Sequence, residues 1–165
     1  MILAIDVHYK DQTAKAVGLL FDWCDSEPKE VITDYLLNPD EYLPGAFYKR
    51  ELPCILKIIE KVNIEHLEAI IIDGYVYVDN DKKNGLGGHV WQTLKSGVPV
   101  IGVAKNYYHG NTETVISIMR GDSVKPLYIS SIGISNEEAV IKIESLHGTF
   151  RIPTILKLLD RLTKQ

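Results

Sequence analysis

Three acidic residues sit where apolar runs end or pause: Asp6 in Ile-Leu-Ala-Ile-Asp-Val, Glu51 in Phe-Tyr-Lys-Arg-Glu-Leu-Pro and Asp73 in Ala-Ile-Ile-Ile-Asp-Gly. A carboxylate in a buried setting is costly unless it is paired, protonated or bound to a cation. Three converging carboxylates would repel one another, and a divalent metal is the usual remedy. Oxygen-only ligands favour Mg2+ or Mn2+ over Zn2+, and such a metal supports in-line displacement at phosphorus. Taken singly, each acid also reads as a loop cap or a lysine partner; two strand-borne Asp residues together with Glu51 shift the balance toward a cation site. Lys105 follows the apolar run 98–103. Its stem can lie along a sheet edge while its ammonium reaches an acidic centre or a scissile phosphate, although spacing alone fits an ordinary surface lysine better.

These groups need a scaffold. Residues 2–9 read as a buried strand, and 14–22 and 30–37 as two more, separated by a turn-rich stretch containing Pro28. Short connections make this an antiparallel meander. Ile55, Ile58, Ile59 and Val62 recur at helical spacing, with Pro53 in the first turn or at a kink and Glu51 one turn before Ile55. The wholly apolar run 69–73 reads as a strand covered on both faces. A Gly-rich segment leads to a helix near 90–96, then a strand at 98–103, strands near 113–119 and 127–134, and helices at about 136–146 and 153–162. With no repeat, low-complexity tract or dividing linker, the expectation is one mixed α/β domain over residues 1–165. A three-strand antiparallel meander followed by α/β units and flanked by helices is the ribonuclease H-like order. Asp6 then shares a strand face with Ala4 and His8, and Asp73 ends a strand at the carboxyl edge, where open α/β sheets place their sites.

Hydrophobic residues make up 45% of the chain and charged ones 24%, as in a globular rather than a disordered protein. The net charge of −4 opposes broad, sequence-blind attraction to nucleic acid, so nucleic-acid binding is expected to be weak and local. Cys24 and Cys54 show no ligand spacing and read as free thiols. There is neither a secretory lead nor an apolar run approaching the ~18 residues of a membrane span. The expected setting is cytoplasmic, without membrane partners.

Four blocks, in order, make the chain similar to the endonuclease V family, metal-dependent nucleases that cut near deaminated purines, chiefly inosine. Ile5-Asp6-Val7-His8-Tyr9 resembles the family's first-strand block with its metal-binding Asp. Tyr42-Leu43-Pro44-Gly45 resembles the wedge that separates nucleic-acid strands, followed at the family's spacing by Arg50-Glu51 with its catalytic Glu. Ile72-Asp73-Gly74 resembles the start of an Asp-Gly-His-Gly block. Gly85-Leu86-Gly87-Gly88-His89 and Ile101-Gly102-Val103-Ala104-Lys105 resemble the segments that line the base pocket and supply the active-site lysine. The resemblance implies Mg2+ or Mn2+ held by Asp6, Glu51 and Asp73, with Lys105 as the fourth catalytic group. It implies substrate contacts at Tyr42, Leu43, Pro44, Gly45, Gly74, Gly85, Leu86, Gly102 and Ala104.

The chain also departs from that pattern. Asp-Gly-His-Gly becomes Asp73-Gly74-Tyr75-Val76, and a β-branched Val76 is expected to crowd the space left for a flipped base. The family's late Ser-Pro-Gly-His block becomes Ser130-Ser131-Ile132-Gly133-Ile134-Ser135, without histidine, and with the first strand beginning at residue 2 no counterpart of the N-terminal helical extension is expected. His8 shares the Asp6 face, while His89 is expected to serve structural hydrogen bonding. Two alternatives stand beside the nuclease: a non-catalytic nucleic-acid or partner-binding descendant of the scaffold, and a hydrolase of small phosphorylated molecules.

Overall fold

Alternation along the first strand decides the architecture. In the computed structural model, which describes residues 1–37 and 48–165, β1 (Ile2–Lys10) buries Ile2 and Ala4 on one side and Leu3 and Ile5 on the other. A strand buried on both faces belongs mid-sheet with a helical layer on each side. It runs antiparallel to β2 (Thr13–Phe21), which pairs antiparallel with β3 (Glu30–Leu37). On its other side β1 pairs parallel with β4 (Ala69–Asp73), and β4 pairs parallel with β5 (Val100–Ala104). β6 (Ile116–Ile118) and β7 (Leu127–Ile132) complete a seven-stranded sheet of order β3-β2-β1-β4-β5-β7-β6. This is the ribonuclease H-like mixed sheet expected from the sequence.

Helices cover both faces. Leu3, Ile5, Ile70 and Ile72 pack against Cys54, Ile55, Ile58 and Ile59 of α1 (Tyr48–Ile59) and against Leu86 and Val90 of α2 (Leu86–Leu94). On the opposite face Ile2, Ala4, Ile71, Ile101 and Val103 meet α3 (Asn136–Ser145) and α4 (Thr154–Thr163) through Ala139, Ile143, Ile155 and Leu159. Two side-chain contacts fix how the helices carry the site. Lys15 Nζ on β2 donates to the carbonyls of Leu162 at 2.8 Å and Gln165 at 3.2 Å, setting a positive charge at the C-terminal end of α4. The Arg50 guanidinium lies 3.5 Å from the Tyr9 ring centroid, tying the start of α1 to β1.

Several boundaries differ from expectation. α2 begins at Leu86, four residues earlier than the sequence pattern placed it, and takes Gly87 and Gly88 inside it. A Cβ at Gly87 would meet Val76 Cγ2 at 2.9 Å, and one at Gly88 would meet the Val76 carbonyl oxygen at 2.8 Å. Close docking on the segment after β4 therefore outweighs the low helix propensity of glycine. Pro53 lies inside α1 rather than in its first turn. The strand expected over 113–119 contracts to Ile116–Ile118, and the remaining ends shift by the residue or two that fraying allows. Among the described residues no helix is long and apolar enough to cross a membrane.

Gly18 marks where α1 sits closest to the sheet: a Cβ there would meet Ile58 Cγ2 at 2.5 Å and Leu3 Cδ1 at 3.1 Å. Gly18→Ala is expected to lift α1 and cost about 1–3 kcal/mol, the range of core overpacking. Urea denaturation measures it, and an unchanged midpoint would contradict the packing described.

Candidate active site

Register brings the first two carboxylates together. The parallel pairing of β1 and β4 aligns Ile5 with Ile72, so the next residues stand side by side: Asp73 ends β4, and Asp6 lies midway along β1, where its pairing with β4 stops. Asp73 is in turn aligned with Val103 of β5. The period of two puts Asp6, Asp73 and Lys105 on the face that packs against α4, each extending a buried series: Ile2 and Ala4, Ala69 and Ile71, Ile101 and Val103. Ile71, Val103, Ile152, Leu156 and Leu159 form an apolar floor beneath them. Glu51 approaches from the opposite layer, in the first turn of α1.

Lys105 is the positive centre of this group. Its Nζ lies 3.4 Å from Asp73 Oδ2 and 3.7 Å from Asp160 Oδ1. Its backbone is held by Arg151, whose Nη2 donates to the carbonyl oxygens of Lys105 at 2.6 Å and Pro126 at 2.8 Å, and whose Nε donates to that of Lys125 at 3.1 Å. Arg151 thus fixes the point at which Lys105 leaves the sheet.

Burial and crowding govern the ionisation of the acids. Burial pushes the Asp6 carboxyl up from 3.8 to about 6, and the charge of Asp73 adds to it; the Val7 N–H, donating to Oδ1 at 2.9 Å, and Lys105 pull the other way. Burial likewise raises Glu51 from 4.5 to about 7, reinforced by the charges of Asp6 and Asp73. For Asp160 burial also works upward, but Lys164, at 3.1 Å, and Lys105 outweigh it and hold the carboxyl below its usual range. Two of the four acids thus titrate near neutrality, where a proton carrier is most effective.

The donor set consists of carboxylate oxygens only, which fits a hard divalent cation. Among the described residues, no three His, Cys, Asp or Glu side chains already stand close enough to enclose one, and Lys105 holds Asp73 and Asp160. The chemistry of the donors, not a closed coordination shell, is what suits Mg2+ or Mn2+.

The structure thus gathers Asp6, Glu51, Asp73 and Lys105 at one edge. Of the expected base-pocket residues, Gly74, Gly85 and Gly102 gather around the segment that follows β4. Gly74 (φ +144°) has no atom within 4 Å of where its Cβ would lie and adjoins the carboxylate edge. Gly85, Leu86, Gly102 and Ala104 are buried. A Cβ on Gly102 would meet the Gly74 carbonyl oxygen at 2.5 Å and Ser130 Oγ at 2.8 Å, and one on Gly85 would meet the Tyr75 carbonyl oxygen at 2.8 Å. Close backbone approach accounts for these two glycines. Tyr42, Leu43, Pro44 and Gly45 lie outside the described residues.

The histidines make other contacts. The His89 ring stacks on Tyr48 at 3.7 Å, joining α2 to α1. Burial lowers its pKa. His8 lines a cleft with Lys15, Thr163 and Lys164 beside the end of α4, beyond the carboxylates. In the segment lacking the late histidine, Ser130 Oγ accepts from the Val76 N–H at 3.0 Å, and Ser135 caps α3 by accepting from Glu138 N–H at 3.1 Å.

Asp160 is the residue that the sequence pattern did not bring out. It sits one turn after Leu156 and three residues before the buried Thr163, a lone carboxylate on the margin of a core-facing helical stripe. That position was the available signal.

Comparison with known proteins places these features. A family model described as Endonuclease V matches residues 1–123. An Endonuclease V of Trichormus variabilis is 26% identical over 168 residues, covering 90% of this chain and 74% of the relative. One from Thermococcus kodakarensis is 27% identical over 168 residues, covering 98% and 76%. Among solved structures, Ciona intestinalis Endonuclease V in complex with a 24mer DNA containing an inosine followed by a ribo-adenosine has a TM-score of 0.82 at 17% identity, covering 99% of this chain and 84% of that one. The Endonuclease V structure from Bacillus subtilis gives 0.77 at 21% identity, covering 99% and 78%. At such identities the structural likeness speaks for the fold, which is ribonuclease H-like.

The raised carboxyls tie stability to pH. At low pH, Asp6 and Glu51 are protonated in folded and unfolded chains alike. As pH rises from about 4 to about 7 the unfolded chain releases protons that the folded chain keeps, so metal-free stability falls over that window. Asp6→Asn is expected to stabilise the metal-free protein at about pH 8 by on the order of 1–3 kcal/mol and to change little at about pH 4. Thermal melts at the two pH values measure this; a destabilised Asp6→Asn protein at the higher pH would contradict it.

Proposed function

Because the chain belongs to the endonuclease V family, we propose that it is a nuclease hydrolysing a phosphodiester of DNA or RNA at the Asp6–Asp73 edge, with Mg2+ or Mn2+ as cofactor. The observation that carries this reading is the adjacency of Asp6 and Asp73 where the parallel pairing of β1 and β4 ends, electrostatically coupled to Glu51 and Asp160. Asp6, Glu51 and Asp73 would hold the cation, and Asp160 extends the set to four carboxylates. When bound, such a cation polarises the phosphate and makes water a better nucleophile.

The chain's own groups have distinct tasks in this reading. Glu51, facing the Asp6–Asp73 edge from α1, accepts the proton of the attacking water. Asp160 stays ionised and draws Lys105 toward the edge. The Lys105 ammonium exchanges Asp73 for a non-bridging phosphate oxygen and stabilises the charge that develops there. Water adds to phosphorus, the bond to the leaving sugar oxygen breaks, and that oxygen takes a proton from solvent. The apolar floor of Ile71, Val103 and Leu156 keeps the group partly shielded from solvent, which strengthens each of these charge interactions.

The non-catalytic descendant is the second reading, favoured by the buried Val76 and by a 130–135 segment committed to internal contacts. Incubation of labelled DNA and RNA oligonucleotides, with and without inosine, in Mn2+ separates the two. Wild-type cleavage that falls by about 100-fold or more in Asp6→Asn and in Lys105→Ala, both still folded, is the expected result. Oligonucleotide binding without turnover, unchanged in Asp6→Asn, would favour the second reading.

A further inference from the structure

The loops that follow β4 and β5 carry an aromatic surface that the carboxylate chemistry leaves unused. Tyr107 and Tyr108, just after Lys105, are 50% and 46% exposed. Tyr107 has Tyr128 at 5.9 Å and His109 edge-on at 5.1 Å between ring centroids, and Tyr108 has Tyr75 at 6.0 Å. Tyr128 pairs with Ala104 across β5 and β7, so the cluster begins where Lys105 leaves the sheet. Consecutive residues span at most about 3.6 Å each, which keeps both rings within reach of a nucleotide adjoining a phosphate at Lys105.

This loop is held in place. The Tyr75 hydroxyl donates to the Asn106 carbonyl oxygen. Asn111 Nδ2 donates to the Tyr77 carbonyl oxygen at 2.6 Å, and Asn80 N–H to that of Gly110 at 3.2 Å. Asn80 Oδ1 accepts from Thr112 N–H at 2.8 Å and Glu113 N–H at 2.9 Å. These bonds fasten the two loops together while the Tyr107 and Tyr108 rings stay open to solvent. Aromatic groups on a preordered backbone lose little entropy when a ligand arrives.

A second observation concerns the space where a base would otherwise enter. Val76 is fully buried. Its Cγ2 would lie 2.9 Å from a Cβ on Gly87 and its N 3.1 Å from one on Gly102, and its N–H is bound by Ser130. Val76 thus packs directly on the segments that carry Gly87 and Gly102.

We propose that Tyr107 and Tyr108 form a stacking platform for unpaired nucleobases beside the phosphate at Lys105, and that the chain therefore engages single-stranded nucleic acid with little regard to base identity. This rests on the nuclease reading given above and deepens it to a substrate class. Every base offers a π-face, so stacking tolerates sequence where a fitted pocket does not.

Fluorescence anisotropy with a labelled single-stranded oligonucleotide of mixed sequence, and with its inosine-containing counterpart, tests the proposal. Wild type is expected to bind the two within about twofold. Tyr107→Leu and Tyr108→Leu should each weaken binding about tenfold, the size of one base stack, and the Phe variants should restore it. Leu variants that melt like wild type and bind as well as it does would overturn the platform while leaving the nuclease reading intact. A tenfold preference for inosine would overturn the indifference to base. Tight, ring-dependent binding without cleavage would sink the nuclease reading and support the platform; no binding to either strand would overturn the platform.

Discussion

Carboxylates cannot be crowded at a half-buried sheet edge without positive charge to answer them, and most of the structure beyond the sheet serves that condition. The parallel register of β1 and β4 makes the crowding unavoidable by aligning Asp6 with Asp73. Lys105 answers it directly, and three further contacts hold the participants in place: Arg151 on the Lys105 backbone, Lys15 at the end of the helix that bears Asp160, and Arg50 against Tyr9 at the start of the helix that bears Glu51. Each of these supports is a cation that does not touch the acids it positions. The acidic centre is thus ringed by basic residues committed to backbone and ring contacts, which leaves Lys105 as the cation facing Asp73.

Even so, the compensation is partial. Asp6 and Glu51 are both displaced upward because burial costs their charged forms more than their neighbours return. Free energy stored this way is released by any ligand that brings positive charge into the cluster, since the bound state recovers what the empty one forgoes. Tight packing elsewhere, with apolar side chains filling both faces of the central strands, supplies the stability that such an arrangement draws down.

Much of this was legible in the sequence, and the reasons differ from residue to residue. Asp6 and Asp73 stood out because an acid ends or interrupts a buried apolar run, whereas Lys105 on spacing alone read as an ordinary surface lysine and only the structure sets it on their face. The meander and the two apolar strands that follow it were readable from the apolar runs themselves. Glu51 was less so: helical spacing put it on the core-facing side, but only the resemblance gave it a partner. Asp160 escaped because an acid at the margin of an amphipathic helix looks solvated until the helix's crossing over the sheet is known. The start of α2 was misjudged because glycine is a poor helix former in isolation, and the contact with Val76 that requires it lies outside local sequence.

The anchors of the loop after β5 share one property: those at Lys105, Asn106 and Gly110 grip main-chain oxygens. Main-chain atoms are common to every amino acid, so the loop's path is specified without reference to the side chains displayed at 107 and 108. The fold therefore separates the geometry of the edge from the chemistry shown beside it. Such a scaffold behaves as a socket with an exchangeable face, in which residues next to the reactive centre can be replaced singly while Lys105 keeps its position.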